Sequence, residues 1–554
     1  MKQAHAFAIR RSRPGAARRA LLCSLLLLRP LVASAADFHV DPVHGSDDGD
    51  GSAARPWKAI QRVIDEKVDT WRWDSLPYEA GSSTLVRAHP GGAPVQPGDT
   101  IWLHQGLHAA LVIQGAYNSA NVTVAAAPGE VPRLPSVRVR ASQRWVLRGL
   151  SVSPWHGTPN DLGAIVSVED HSWHGPASDV VVDGLEVFTV PDERLWRSAA
   201  DWDAKAWDGI VADGERVTVR NCSVRNVAFG IAMSGRGSRV ERCTVDGFWG
   251  DGLRGLGDGQ VFERNLVKNA RQVNDNHVDG FQSWSYGAGG VGTGAVRNVT
   301  LRGNVFLNFD DPGLPYLASM QGIGCFDGFY EGWLVENNVV VTDHWHGISF
   351  SGARDVRLVN NTVLDAAAGR PGPPWIMVTA HKSGTASAGN VVRNNLATDV
   401  SIDDGAGVED HDLVLPAAAG GFFVDLARGD LRLAAGSPAI DAGTGDGAPA
   451  TDADGVARPW GAAVDLGAYE YAPGAARTQG AGAPAGVARD WPVRVPVGGA
   501  KGGCGTSAPD GGGAALGWLA ALLAIGAGSL RRTPHPGRTT PSSPAIARPS
   551  SSSY

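Results

Sequence analysis

Val335-Glu336-Asn337-Asn338-Val339-Val340 places a polar turn between two apolar ends, and the same phrase returns through the middle of the chain. Val219-Arg220-Asn221-Cys222-Ser223-Val224, Val240-Glu241-Arg242-Cys243-Thr244-Val245, Phe262-Glu263-Arg264-Asn265-Leu266-Val267 and Leu301-Arg302-Gly303-Asn304-Val305-Phe306 precede it. Val359-Asn360-Asn361-Thr362-Val363 and Arg393-Asn394-Asn395-Leu396 follow. The column Cys222, Cys243, Asn265, Asn304, Asn338, Asn361, Asn395 recurs at intervals of 21, 22, 39, 34, 23 and 34 residues. The short intervals define a coil of two or three alternating strands split by Gly and Asn turns, and the long ones are coils enlarged by loops; this is the pattern of a β-solenoid. At such a tight corner Asn tolerates the left-handed region, and stacked amides can hydrogen-bond from coil to coil. Cys222 and Cys243 continue the column as buried small residues, a disulfide between them being the less favoured arrangement.

A second alignment lies downstream of each corner. Gly230-Ile231-Ala232, Gly252-Leu253-Arg254, Gly280-Phe281-Gln282, Gly322-Ile323-Gly324 and Gly347-Ile348-Ser349 stack with the large apolar residue inward. Period-two alternation then turns Arg254, Gln282 and Ser349 outward. Phe229, Asp251, Asp279, Gln321 and His346 stand just before each Gly. With coils about 4.8 Å apart, Asp251, Asp279, Gln321 and His346 form one polar row. Enlarged coils at residues 270–278, 310–320 and 365–374 enter beside it and are expected to wall a groove. Trp249, Trp284, Tyr316, Phe329, Tyr330, Trp333, Trp345 and Trp375 fall in or near this region, and flat aromatic faces beside polar groups suit sugar rings. His277, between Asp275 and Asp279, reads as a general base, as the neighbour of a calcium site, or as a loop anchor. An Asp-Gly pair before a strand is also an ordinary turn.

Phe38-His39-Val40-Asp41-Pro42, Gly45-Ser46-Asp47, Gly51 and Pro56-Trp57-Lys58-Ala59-Ile60 resemble the opening of many secreted β-helix proteins, where the chain enters a short capping helix. Gln96-Pro97-Gly98-Asp99-Thr100-Ile101-Trp102-Leu103 looks like the first full coil. Gly436-Ser437-Pro438-Ala439-Ile440-Asp441-Ala442-Gly443, Asp452-Ala453-Asp454-Gly455, Arg458-Pro459 and Asp465-Leu466-Gly467-Ala468-Tyr469-Glu470 resemble the closing module of surface-anchored members, with Asp452 and Asp454 read as solvated turn acids and calcium binding as the alternative. Together with the repeat, residues 37–471 resemble a right-handed parallel β-helix of the pectate-lyase-like superfamily: all-β, with an N-terminal capping helix.

That resemblance implies action on long polysaccharides, and two chemistries stay open. A lyase neutralises a uronate carboxylate, removes the neighbouring C5 proton and protonates the leaving oxygen. Arg254, Lys382 or a calcium ion held by Asp275 and Asp279 would serve the first task, His277 the second, and His346 or a tyrosine the third. A hydrolase needs close carboxylates at the cleft. Asn276-His277-Val278-Asp279-Gly280-Phe281 and His346-Gly347-Ile348-Ser349 are similar to two polygalacturonase motifs, yet Met320-Gln321-Gly322 stands where that family carries paired aspartates, leaving Asp251 as a second carboxylate. The expectation is a lyase that cleaves an acidic polysaccharide by β-elimination, binding it through Gln282, Trp284, Gln321, Trp345 and Trp375. A hydrolase or uronate epimerase on the same fold, and a non-catalytic glycan-binding adhesin, are the alternatives.

Both chain ends read as addresses. Residues 1–35 carry seven bases, no acid, an apolar run at 20–28 and Ala33-Ser34-Ala35, the pattern of a cleaved secretory signal. Gly503-Cys504-Gly505 and the segment 514–532, apolar from Ala514 to Leu530 and closed by Arg531-Arg532, resemble the C-terminal sorting signal of myxobacterial surface proteins; a plain membrane anchor is the alternative. Residues 472–513 read as a Gly/Ala/Pro-rich linker and 533–554 as a disordered Ser/Pro-rich tail. The expectation is a secreted monomer retained at the cell surface or outer membrane, its partners a polysaccharide and the anchoring or sorting machinery. Removing the eleven bases of the two ends takes the formal charge from −7 to −18, which argues against nucleic acid.

Overall fold

The computed structural model describes residues 35–159, 163–366, 371–416, 419–426 and 429–475. The expected leader (1–35) except residue 35, the expected linker (472–513) except residues 472–475, and the expected sorting segment and tail lie outside the described residues. Successive coils lay one strand each on three long sheets whose stacked strands all run parallel. Thr218–Arg220 joins sheet 1, Ser223–Val227 sheet 2 and Ile231–Met233 sheet 3, before Arg239–Glu241 returns to sheet 1 one coil on. Register keeps like over like: Val219 pairs with Val240, Val224 with Val245 and Ile231 with Leu253. All six are buried, so the alternation seen in sequence becomes apolar stacks filling the solenoid.

The Asn column is a hydrogen-bonded ladder, with one correction. The left-handed residue of each corner is the one before it: Asn221, Arg242, Arg264, Gly303, Asn337, Asn360 and Asn394 have φ between 51° and 61°. That turn points the next side chain inward. Asn338 Oδ1 accepts from Asn304 N (3.0 Å) and Nδ2 (2.9 Å), while Asn338 Nδ2 donates to Leu301 O (2.9 Å) and Asn361 Oδ1 (3.0 Å). Asn265, Asn304, Asn361 and Asn395 repeat the pattern. Cys222 and Cys243 carry free thiols, each 3.7 Å from the backbone carbonyl that an Asn would use, Val182 O and Val219 O, and nearer to a carbonyl of its own corner, Arg220 O (3.2 Å) and Glu241 O (3.4 Å).

The expected capping helix, α1 (Ile60–Lys67), seats Ile60, Val63 and Ile64 on the end of the core. Gln61 exchanges two hydrogen bonds with Val112 of the edge strand Leu111–Gln114, which satisfies backbone groups a sheet edge leaves open. At the other end the closing module packs against the outside of sheet 2, with Phe423, Leu431, Leu433 and Leu466 over Val339, Val341, Leu364 and Leu396. Its Arg458 and Glu470 form a buried ion pair at 2.5 Å. Asp452 is not a solvated turn acid: it is buried and accepts from the backbone N–H groups of Val456 and Glu470. Among the described residues, no helix is long and apolar enough to cross a membrane.

Candidate active site

Sheet 2 is covered by the closing module, whereas the expected polar row forms on sheet 3. The strands concerned are β1 (Asp208–Ala212), β2 (Ile231–Met233), β3 (Asp251–Gly255), β4 (Asp279–Trp284), β5 (Gln321–Asp327), β6 (His346–Ser351) and β7 (Trp375–Thr379). Asp251 pairs with Asp279, Asp279 with Gln321, and His346 with Trp375. The glycine after each row residue is required by close approach: a Cβ on Gly280 or Gly322 would stand 2.7 or 2.3 Å from the backbone carbonyl oxygen of the next coil. Loops at 271–278 and 308–320 enter from sheet 2 beside the row, as expected.

Two ion pairs form its charged half. Asp251 is buried and binds Arg254 through Nε (2.7 Å) and Nη2 (2.5 Å). The guanidinium lies between Phe229 and Trp284, 4.4 and 4.5 Å from the two ring centroids, so cation–π contact on both faces fixes it. One coil on, fully buried Asp279 takes His277 Nδ1 at 2.6 Å and Gln282 Nε2 at 3.0 Å on its Oδ2. His277 is half exposed, and the carboxylate beside it raises its pKa to about 9. Burial pushes Asp251 and Asp279 upward, with Arg254 and His277 respectively opposing it. Asp279 Oδ1 and Gln321 Oε1 are buried without a donor, and both face the space over Gly324, 2.7 and 3.4 Å from where a Cβ would stand.

The other half is aromatic and neutral. His346 packs edge-on to Phe326 and Trp375 at centroid distances of 4.7 and 5.5 Å, and burial lowers its pKa to about 3. Its Nδ1 lies 3.3 Å from the Trp375 indole N–H, which can only donate, so the ring proton belongs on Nε2. His344 is likewise lowered to about 4 and packs against Trp345. A neutral His346 is a hydrogen-bond donor through Nε2.

Other expected members stand elsewhere. Lys382 is exposed and bonds Asp327 at 2.7 Å, at the far end of β5 from the row. Ser349 is fully buried beneath His346 and the Trp375 indole, where alternation had turned it outward. Tyr330 and Trp333 belong to the core, and Trp249 to a smaller cluster with Trp196 and Trp202. Asp275 sits in an exposed bend, whereas Asp279 is buried, with one oxygen on His277 and Gln282 and the other over Gly324. Among the described residues no group of three or more His, Cys, Asp or Glu side chains is placed to hold a metal ion.

Asp208 is the member that sequence reading missed. It opens β1 in the row position, and burial raises its pKa to about 6 against the opposing charge of Arg254. Asp208-Gly209-Ile210 carries the same signal as Asp251-Gly252-Leu253, but it lies upstream of the first Asn phrase used to set the repeat.

A family model described as "Right handed beta helix region" matches residues 208–409, the stretch that carries the row and most of the ladder. The chain is thus a right-handed parallel β-helix. Among solved structures, the pectate lyase Pel9A is similar at 15% identity and a TM-score of 0.41, over 78% of this chain and 96% of that one. A rhamnogalacturonan lyase is similar at 12% and 0.34, over 69% and 85%. The A-module of the Azotobacter vinelandii mannuronan C-5 epimerase AlgE6 is similar at 13% and 0.34, over 56% and 90%. No curated protein sequence matches the chain.

Proposed function

We propose that the protein is a polysaccharide lyase that cleaves a uronate-containing chain by β-elimination, working outside the cell and retained there through its C-terminal segment. The observation that carries this reading is the His277–Asp279 pair. A buried carboxylate fixes Nδ1 and leaves Nε2 of a half-exposed ring to the substrate, the arrangement that makes an imidazole a strong, oriented proton carrier. Arg254 uses Nε and Nη2 on Asp251, and its Nη1 meets the uronate carboxylate. His277 takes the C5 proton and its imidazolium is stabilised by Asp279. The C4–O bond breaks as the C4–C5 double bond forms, and the same proton passes to the leaving oxygen. Trp345, Trp375 and the Nε2–H of His346 bind the neighbouring sugars. Arg254 and His277 already have carboxylate partners, so the substrate's carboxylate is met by sharing Arg254, while His277 acts in its neutral form.

The test is ultraviolet absorbance of the unsaturated uronate end, followed while the protein is incubated with a panel of uronate polymers, beside a reducing-end assay on neutral and acidic glycans. Absorbance that grows with time and is lost in His277→Ala supports elimination; reducing ends without absorbance refute it. A second reading, hydrolysis, is favoured by one observation: Asp208 and Asp251 are both carboxyls raised by burial, on one row two coils apart. It predicts reducing ends lost in Asp208→Asn.

A further inference from the structure

Residues 190–207 leave sheet 2 after Glu186–Phe188 and rejoin sheet 3 at Asp208, carrying a short helix, α2 (Ala199–Lys205). The corners of the next two coils are minimal, Ala228-Phe229-Gly230 and Trp249-Gly250. The third corner, 271–278, is long and carries His277. The insertion reaches across both short corners to it. Glu193 takes Arg271 Nη2 at 3.0 and 2.8 Å and Nε at 3.2 Å, while Nη1 donates to Asn269 O at 3.0 Å. Asp203 Oδ1 accepts from Asn274 Nδ2 at 2.6 Å. Between these two links, Trp196 and Trp202 pack with Phe229 and Trp249, and Val273 of the corner lies against them.

We propose that this insertion is a strap, and that Glu193 is a positioning residue which holds the 271–278 corner so that His277 meets Asp279. Arg271 is almost fully buried, and a buried ion pair is a poor source of net stability, because desolvation of both charges offsets their attraction. What it supplies is direction: a planar guanidinium with all three nitrogens engaged fixes the backbone six residues before His277. Asn274 fixes it again three residues before. Gln272 Nε2 then ties the corner to itself through Asn274 O (2.6 Å) and Asn276 O (2.7 Å). A proton carrier displaced by about 1 Å loses on the order of a hundredfold in rate, so the strap sets turnover from three coils away.

The proposal rests on His277 as the proton carrier, and its test has a readout that needs no substrate. The full protein, labelled at its imidazoles, is titrated by NMR as wild type, Glu193→Ala and Asn274→Ala. His277 is expected to titrate well above the ordinary value of about 6.5 in wild type and to fall toward it in Glu193→Ala, with a smaller fall in Asn274→Ala, while His39, at the N-terminal end of the solenoid, is unmoved. On a polymer that wild type cleaves, kcat falls by about ten- to a hundredfold with KM within twofold. A His277 that titrates as in wild type in both folded variants overturns the proposal. Should Glu193→Ala not fold, Asn274→Ala, which cuts only the exposed link, decides alone. Positioning with no glycan turned over by wild type leaves the strap standing and removes the lyase reading.

Discussion

The solenoid carries two polar columns along its axis, and they are built on opposite terms. At the corner between sheets 1 and 2, the ladder from Asn265 to Asn395 is sealed in the core with its amide oxygens accepting and its amide N–H groups donating at every rung. At the start of sheet 3, the row from Asp208 to His346 is as deeply set at Asp251 and Asp279, yet Asp279 Oδ1 and Gln321 Oε1 have no donor, and the charges stand in tight pairs. A buried polar group without a partner costs about 1–3 kcal/mol. The ladder therefore stabilises the coil stack, and the row is held at a cost in stability, the pattern expected of a functional site.

That contrast can be broken at several points. The largest effect is expected on turnover: His277→Ala should lose on the order of a thousandfold in kcat, while the unfolding midpoint falls at neutral pH, where pairing with Asp279 contributes stability, and moves little above pH 9. Asn338→Ala should act chiefly on stability. It strands Asn304 N and Leu301 O in the core, lowers stability by about 3 kcal/mol in denaturant titrations, and changes turnover only in proportion to the folded fraction.

pH separates the two columns without mutation. The folded pKa of His277 is raised to about 9, so the stability its pairing contributes is fully present below its unfolded value of about 6.5 and is lost as pH rises through 9. Turnover runs oppositely, because the base must be unprotonated: the kcat profile should climb over that window, and Asp279→Asn should move the climb toward 6.5. The smallest effect is at the ladder's last rung. Asp412 Oδ1 accepts from Asn395 N and Nδ2, but Oδ2 is buried without a partner, and burial raises its pKa to about 7. By the spacing of the other rungs, an amide there would donate to Val392 O. Asp412→Asn should raise stability by about 1 kcal/mol at pH 8, and the gain should shrink as pH falls below 7 and the acid is protonated.

The ladder was legible in sequence because one side chain repeats one task, so Val335-Glu336-Asn337-Asn338-Val339-Val340 and its relatives share a visible spelling. The Asp251, Asp279, Gln321 and His346 alignment was legible for the same reason, each standing before a glycine that the next coil's backbone requires. Partners were not. Whether Lys382 faces the row or turns to Asp327, and whether Ser349 is open or roofed by Trp375, depends on how loops from other coils fold across the sheet, and no period encodes that. The strap at 190–207 interrupts the repeat before its first clear phrase, which also hid Asp208.

The most direct test of the account is Asp279→Asn, measured for stability and turnover on one preparation. The substitution keeps the shape, gives His277 and Gln282 an amide oxygen to bond, and replaces the unpartnered buried carboxylate oxygen with an amide N–H on the side that Gln321 Oε1 also faces. The account predicts an unfolding midpoint at or above wild type, with kcat down by at least a hundredfold. An Asp279→Asn protein that unfolds as readily as Asn338→Ala, or that turns substrate over at the wild-type rate, would show that the row is scaffold like the ladder.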